Sequence, residues 1–364
     1  MTLKCGIVGL PNVGKSTLFN ALTNSIAAEA ANYPFCTIDP NFGCVSVPDK
    51  RLKKLAELAG SQKIIHAQIE FVDIAGLVRG AHKGHGLGNQ FLSHIREVDC
   101  IVYILRCFEN QDVVHVEGRV DPISDSEIIE TELILADIQS LTKKIPNMEK
   151  KAKQSQKVAA QLTLISEVLK VLNEGKPARS LITNNNLNEI NNLQLLTSKP
   201  FLYVCNVAET DIISSNSLTN TVLQKANEVG ARAVLISAQI EQGIANLTEK
   251  SEKEAFLKAL GVEESSLNRL IRASYETLNL ITFFTIGSKE AHAWTTHRGS
   301  TAPQAAGVIH TDFEKGFICA ETISCVDYIN CGSEARAKEA GKLRLEGREY
   351  KVNDGDVMHF RFNV

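Results

Sequence analysis

The residues best suited to chemistry lie at positions 9–16, GLPNVGKS, which fit the pattern G-x-x-x-x-G-K-[ST]. Glycines let the backbone fold closely around phosphate oxygens, so that several N–H groups point inward. Lys15 can reach the β- and γ-phosphates of a nucleotide, and the Ser16 hydroxyl can ligate Mg2+. The stretch therefore predicts a nucleoside triphosphate site that uses Mg2+.

A second pattern, D-x-x-G, covers residues 73–76 and follows residues 64–72, which are predicted to form one strand. Asp73 can hold Mg2+ through water, and the Gly76 N–H can bond the γ-phosphate. Thr37 lies in a proline-containing loop, where P-loop hydrolases place a threonine that closes on Mg2+. For Thr37 alone, a purely structural role fits the sequence equally well.

The group that would activate the attacking water is not obvious. Leu77 occupies the position where many GTPases carry a water-orienting glutamine, so hydrolysis must use another group or be slow. His115 follows a predicted core strand, and open α/β sheets bind ligands at the carboxyl ends of their strands. His115 is therefore a catalytic candidate, although a structural or surface histidine is at least as compatible with the sequence.

The base-binding motif departs from that of guanine-specific enzymes, which carry Asn-Lys-x-Asp. Asn206 is present, but Val207 replaces the lysine and Glu209 replaces the aspartate. The lost lysine stem and the longer carboxylate should weaken guanine recognition, so relaxed or adenine-preferring specificity is the hypothesis. Ser237 and Ala238 match a dipeptide that offers backbone groups to the base edge.

Several elements must position these residues. Apolar runs at 5–8, 100–105 and 201–205 predict buried strands, and the segment after the phosphate loop has helical spacing. This pattern predicts an α/β nucleotide-binding domain with a mainly parallel sheet.

A helical hairpin is predicted within this domain. Ser124 and Glu127 have the spacing of a capping box that opens a long helix, Pro146 interrupts the apolar pattern, and the pattern resumes until Gly175. Lysines lie between the two halves. A solvated face is the slightly preferred interpretation, and contact with a phosphate backbone is the alternative. These lysines are Lys143, Lys144, Lys150, Lys151, Lys153 and Lys157.

The C-terminal part alternates strand-like segments with a short helix at 302–309, which predicts a small α+β domain. A basic cluster follows, but interleaved glutamates weaken a nucleic-acid interpretation. The cluster comprises Arg336, Lys338, Lys342, Arg344, Arg348 and Lys351.

Composition limits the function classes. The 364 residues predict two or three domains, and the net charge of −3 argues against a nucleic-acid binder that works through overall charge. The nine cysteines form no C-x-x-C pair, so neither a zinc site nor a disulfide framework is indicated. Scattered thiols, the lack of room for a signal peptide and the lack of an apolar run near ~18 residues predict a cytoplasmic protein without a membrane span.

Taken together, these motifs closely resemble the YchF family, Obg-like members of the translation-factor-related P-loop class. The resemblance extends over essentially the whole chain. It rests on GLPNVGKST at 9–17, NYPFCTIDP at 32–40, DIAGLVRGA at 73–81, NVAE at 206–209, APQAAGVIHTDFEKGF at 302–317 and DGDVMHF at 354–360.

The resemblance implies a G domain over residues 1–123 and 200–280, an inserted helical coiled-coil domain over 124–199, and a C-terminal β-grasp domain of the TGS type over 281–364. It also implies slow hydrolysis of ATP, which is preferred over GTP. The implied partner is the ribosome, either its large subunit or the whole particle, with rRNA contact through the hairpin and the TGS domain.

The resemblance also implies roles for individual residues. Ser16 and Thr37 would ligate Mg2+, and His115 falls at the matching histidine of the family. Asn12 matches the P-loop asparagine of relatives that use K+ as an extra cation. The phosphate-holding residues would be Asn12, Val13, Gly14, Lys15, Ser16 and Thr17, and Asn206 and Glu209 would lie by the base.

The preferred hypothesis is an ATPase switch in which Mg2+-ATP orders the loops of Thr37 and Gly76 and hydrolysis releases them. One alternative is an interaction module in which the nucleotide is a structural ligand, a reading that Leu77 supports. A GTPase is disfavoured by Val207 and Glu209. A small-molecule kinase is weaker still, because D-x-x-G with the Thr37 loop suits switching.

Overall fold

The computed structural model describes residues 3–30, 41–75, 87–110, 118–183, 185–247 and 249–363. Contacts divide the chain into two compact units. The first comprises Met1–Cys44 and Glu70–Leu270, and the second comprises Val45–Ile69 and Ile271–Val364. In the described part of the chain no helix is both long and apolar enough to cross a membrane.

Strands and helices are numbered along the chain. The strands are β1 (Lys4–Val8), β2 (Phe42–Ser46), β3 (Lys63–Ile65), β4 (Gln68–Asp73), β5 (Cys100–Arg106), β6 (Phe201–Asn206), β7 (Arg232–Ile236), β8 (Leu280–Ile286), β9 (Glu290–His297), β10 (Phe317–Ser324), β11 (Arg344–Glu346) and β12 (Asp356–Phe362). The helices are α1 (Lys15–Ala30), α2 (Lys50–Ala59), α3 (Leu87–Glu97), α4 (Pro122–Ala152), α5 (Gln156–Asn173), α6 (Leu187–Asn192), α7 (Ser217–Glu228), α8 (Ala238–Ala245), α9 (Lys250–Ala259), α10 (Ser266–Thr277), α11 (Ala302–Ile309), α12 (Thr311–Lys315), α13 (Cys325–Cys331) and α14 (Glu334–Glu339).

The first unit is built on a six-stranded sheet in the order β2-β4-β1-β5-β6-β7. Strands β1, β4, β5, β6 and β7 run parallel. Every residue of β5 and β6 is buried, as expected for continuous apolar runs in a sheet covered on both faces. The parallel arrangement brings the residues that follow β1, β4 and β6 to one edge of the sheet, where open α/β sheets bind ligands.

The helical hairpin consists of α4 and α5, which share a hydrophobic core that includes Leu141, Ile165 and Leu172. Two details of the prediction are wrong. The cap of α4 is Asp121, whose carboxylate accepts the Ser124 N–H at 3.1 Å, so Ser124 lies inside the helix and does not open a capping box. Pro146 also lies inside α4 and does not end it. Ile145 and Met148, on either side of the proline, pack against the hairpin core. Such packing opposes the ~3 kcal/mol cost of a proline ring within a helix.

The second unit contains a mixed six-stranded sheet in the order β11-β10-β12-β8-β9-β3. Strands β8 and β9 pair antiparallel, as do β10 and β12, whereas β12 runs parallel to β8. Its core is formed by apolar residues from the sheet and α11, including Phe283, Ala305 and Phe360. The predicted α+β class is therefore confirmed for this unit.

The prediction of one strand over 64–72 is wrong, because the segment forms two strands in two different sheets. β3 pairs parallel with β9, with Ile64 opposite Ala291, whereas β4 pairs with β1. Together with α2, β3 belongs to the second unit, so the predicted G-domain range 1–123 differs from the contact-based division. The alternating pattern records which side chains are buried, but it does not record which sheet buries them.

Candidate nucleotide-binding site

The phosphate loop joins β1 to α1, and its backbone requires small residues. Gly14 has φ 91°, and a Cβ at this position would overlap the side-chain amide of Asn206. A Cβ on Gly9 would lie 2.8 Å from Val13 Cγ2 and 2.9 Å from the Ile104 carbonyl oxygen. Packing therefore requires glycine at both positions of the motif. Gly14 also has a left-handed backbone conformation, which glycine adopts most readily.

The residues of the phosphate loop differ in their exposure to solvent, and the exposed ones form the loop rim. Val13 is buried, Asn12 and Ser16 are exposed, and Thr17 is half-buried. Asn12 adopts φ 64°, a left-handed conformation that asparagine tolerates better than most residues. Helix α1 begins at Lys15, so the N–H groups of its first turn have no partner within the helix and favour an anion.

Lys15 forms an ion pair with Asp73, which ends strand β4. Both side chains are largely buried, with 12% and 18% of their surfaces exposed. The Asp73 N–H donates to the Asn41 carbonyl oxygen at 3.0 Å, which holds the strand end in place. The cation of the phosphate loop is thus paired with the carboxylate that the sequence predicts to hold Mg2+.

The available oxygens suit Mg2+. The exposed Ser16 hydroxyl and the Asp73 carboxylate are hard oxygen donors, and Mg2+ in nucleotide sites is held by one or two such groups together with phosphate oxygens and water. Ser16 follows Lys15 directly in the chain, and Lys15 contacts Asp73, so Asp73 lies beside the phosphate loop.

Asn206 joins the base side of the site to the phosphate side. Its Nδ2 donates to the Val13 carbonyl oxygen at 2.9 Å, and its Oδ1 accepts the Ala238 N–H at 3.0 Å. Asn206 as a whole residue is only 5% exposed. The asparagine of the motif therefore ties the phosphate loop to the turn at 237–238, which explains why an amide with both a donor and an acceptor is needed there.

The remaining predicted base-side residues follow β6 and β7. The buried Val207 donates its N–H to the Ile236 carbonyl oxygen at 2.8 Å, and Glu209 is exposed in a short 3-10 helix, Glu209–Asp211. Ser237 caps α8, its Oγ accepting the Ile240 N–H at 3.5 Å. The fold thus joins Asn206, Ser237 and Ala238 to the phosphate loop, with Glu209 three residues beyond Asn206 on the same connection.

Four residues singled out in the sequence lie outside the described residues: Thr37, Gly76, Leu77 and His115. Their predicted roles stay predictions.

Sequence reasoning missed two polar residues beside the site. Arg106, at the end of β5, is buried and donates to the carbonyl oxygens of Phe108 and Asn110, each at 3.1 Å. Asn216 precedes α7 and hydrogen-bonds to Asp211 and Cys107. An arginine that ends an apolar strand was a detectable signal, whereas Asn216 has the local sequence of an ordinary helix cap.

Comparison with known proteins places this arrangement in a family. Residues 4–138 match a family model described as a 50S ribosome-binding GTPase. Residues 280–363 match the C-terminal family of YchF GTPases, which is described as a protein of unknown function. Proteins from Haemophilus ducreyi and Bacillus subtilis, each named ribosome-binding ATPase YchF, are 54% and 52% identical to this chain and are matched over 100% of both lengths. The chain belongs to the YchF family.

A solved YchF structure supports the same assignment at the level of the fold. The Schizosaccharomyces pombe YchF GTPase is 38% identical and superimposes with a TM-score of 0.88, covering 99% of this chain and 98% of that one. The P-loop domain, the long helices and the C-terminal domain expected from the sequence are thus confirmed as a YchF fold. The YchF family contains proteins named as ATPases and one named as a GTPase, so the base specificity of this chain is a separate question.

Proposed function

We propose that this protein binds ATP with Mg2+, hydrolyses it slowly, and associates with the ribosome in a manner that depends on the bound nucleotide. One observation carries the proposal: Asn206 joins the phosphate loop to the base-side turn, next to a connection that carries Val207 and Glu209 in place of a guanine motif. The names of the H. ducreyi and B. subtilis relatives support both the substrate and the partner.

The chemistry follows from the phosphate side of the site. Water attacks the γ-phosphorus in line, the bond from the γ-phosphorus to the β–γ bridging oxygen breaks, and ADP leaves with inorganic phosphate as the other product. Lys15 leaves Asp73 to neutralise the β- and γ-phosphates, and the first-turn N–H groups of α1 orient them. Ser16 and Asp73, with Thr37 as a further proposed ligand, would hold Mg2+, which would supply positive charge beside the phosphate oxygens.

Slow turnover follows from Leu77, because a leucine side chain cannot orient the attacking water. We assign that task to His115, with the Gly76 N–H bonded to the γ-phosphate, as part of the same proposal. Asn12, exposed on the loop rim, is the proposed contact for K+ as a second cation.

We base the adenine preference on two departures from the guanine motif. Buried Val207 supplies no lysine stem to cover a guanine, and Glu209 replaces the aspartate that accepts from guanine N1–H and N2–H2, while its carboxylate can accept from the adenine amino group. The partner proposal extends to the large ribosomal subunit or the whole ribosome, with rRNA contact through α4, α5 and the C-terminal domain. Such a partner would place the protein in the cytoplasm.

A second function is favoured by Leu77, namely a ribosome or RNA interaction module that uses the nucleotide only as a structural ligand. The two functions differ in turnover. We expect Lys15→Ala to abolish single-turnover ATP hydrolysis, and Lys53→Ala, a change at an exposed lysine on α2, to leave it intact. Undiminished hydrolysis in Lys15→Ala would refute the proposed ATPase site.

Competition of ATP against GTP tests the adenine preference, which a clear GTP preference would refute.

A further inference from the structure

The connection that carries Glu209, residues 206–211, is held at its beginning by strong local constraints. Asn206 ends β6 and uses both ends of its amide, as described above, and its carbonyl oxygen accepts the Cys107 N–H at 2.8 Å. Val207 donates to the Ile236 carbonyl oxygen at 2.8 Å. The first two residues of the connection therefore have fixed positions relative to β5 and β7.

The other end of this connection is held by the side chain of Asn216. Its Nδ2 donates to Asp211 Oδ2 at 2.8 Å and to the Cys107 carbonyl oxygen at 2.8 Å. Cys107 directly follows β5, which lies in the centre of the sheet. One amide nitrogen therefore fastens the 3-10 helix that contains Glu209 to the rigid end of a buried strand.

The side-chain oxygen of Asn216 takes part in capping helix α7. Asn216 Oδ1 accepts the Thr219 N–H at 2.9 Å, and the Asn216 N–H donates to Thr219 Oγ1 at 2.8 Å, which together cap α7. Serine would cap this helix about as well as asparagine. Capping therefore does not require an amide, whereas the bonds to Asp211 and Cys107 do, because they need an N–H donor.

We infer that Asn216 is a positioning residue for nucleotide specificity: by fixing Asp211 it sets where Glu209 meets the purine ring, and so sets the ratio of ATP to GTP affinity. The inference rests on the proposed nucleotide site and deepens it. A carboxylate discriminates between purines through hydrogen bonds that weaken steeply with distance and angle, so a loosened connection loses discrimination before it loses phosphate binding.

The experiment measures the dissociation constants of ATP and GTP by competition with a fluorescent nucleotide, and reports their ratio. Asn216→Ser keeps the cap of α7 and removes the amide N–H donor, and Asp211→Ala removes the acceptor without changing α7 or its cap. We expect each change to move the ratio toward one by about 3- to 10-fold, the scale of one hydrogen bond. The double variant should shift no further than either single variant, because both cut the same link.

A matched control separates positioning from general destabilisation. Val222 is buried on α7, so Val222→Ala should lower the melting temperature and leave the ratio unchanged. The inference is overturned if Asn216→Ser and Asp211→Ala both keep the wild-type ratio of ATP to GTP affinity. If Asn216→Ser fails to fold, the ratio measured for Asp211→Ala decides the question. A wild-type ratio of one overturns both the inference and the proposed adenine preference, and a wild-type protein that binds neither nucleotide refutes the proposed site itself.

Discussion

At the scale of single residues, Lys15 and Asp73 pair two opposite charges at the phosphate loop. The lysine cation and the carboxylate are both largely buried, and each would be costly to leave without a counter-charge. In the proposed mechanism, a triphosphate replaces Asp73 as the partner of Lys15, and the freed carboxylate would then hold Mg2+. Such an exchange would couple nucleotide affinity to the metal.

Asp73→Asn should separate the two steps of that exchange. Without Mg2+, ATP should bind about 5- to 10-fold more tightly than to the wild type, because the phosphates no longer compete with a carboxylate for Lys15 or face its negative charge. With Mg2+, the variant should bind more weakly than the wild type, because a neutral amide replaces the anionic carboxylate that would hold the metal. Titration of a fluorescent ATP analogue with and without EDTA measures both constants.

The control for this prediction is Glu57→Gln, which also removes one negative charge but lies exposed on α2. It should leave the Mg2+ dependence unchanged. If Asp73→Asn keeps the wild-type gain in affinity on adding Mg2+, Asp73 does not hold the metal.

At the scale of elements, the segment 45–69 shows how a short stretch can belong to a distant part of the chain. In α2, Arg51 donates to Asp49 and to Asp354 Oδ2 at 2.7 Å, and Asp354 Oδ1 accepts the Thr282 N–H at 2.9 Å. These bonds lie within the second unit and reinforce the pairing of β3 with β9. The paired carboxylates raise the pKa of Arg51 despite its partial burial, so this arginine stays charged.

Strand β9 also carries a histidine whose burial makes the second unit sensitive to acid. His292 stacks on Trp294 with ring centroids 3.6 Å apart, and burial together with Lys63 lowers the pKa of His292 to about 4. In the unfolded chain the pKa is about 6.5, so the unfolded state binds more protons between these values. The stabilising contribution is therefore complete above pH ~6.5 and is lost as the pH falls toward 4.

We expect this loss to amount to about 1–3 kcal/mol of unfolding free energy. Trp294 is the one tryptophan in the sequence, so its fluorescence in urea titrations reports on this unit. His292→Gln cannot titrate, and its unfolding free energy should fall less between pH 7 and pH 4.5 than that of the wild type. Equal decreases in the two proteins would show that His292 contributes nothing to the acid sensitivity.

At the scale of the whole molecule, the path of the chain links the nucleotide site to the second unit. After Asn41, which contacts the Asp73 backbone, the chain forms β2, then contributes α2 and β3 to the second unit, and returns through β4 to Asp73. The chain between Asn41 and Asp73 therefore leaves the first unit, contributes elements to the second, and returns to the first.

Co-sedimentation with ribosomes tests whether the proposed ribosome binding depends on the bound nucleotide. We expect the bound fraction to differ between a non-hydrolysable ATP analogue and ADP, because only the triphosphate draws Lys15 and the neighbouring loops onto a γ-phosphate. Lys15→Ala should show no such difference. Identical binding of the wild type with the ATP analogue, with ADP and without nucleotide would favour the interaction module over the switch.

Much of the nucleotide site and of the fold class could be predicted because the relevant signals are local. The glycines of the phosphate loop, the apolar runs of β1, β5 and β6, and the departure at 206–209 each encode their structure within a few residues. Backbone freedom, strand burial and side-chain chemistry at a turn depend on neighbours in the sequence, so the sequence by itself determined the phosphate-loop motif and the altered base motif.

Only the tertiary structure decided which distant segments these elements meet. The division of residues 64–72 between two sheets, the passage of α4 through Pro146 and the bonds of Asn216 to Asp211 and Cys107 all depend on partners elsewhere in the chain. A periodic pattern specifies that a face is buried, whereas the free energy that selects its partner comes from packing and hydrogen bonds formed across the fold. Those contacts exist only after the chain has folded.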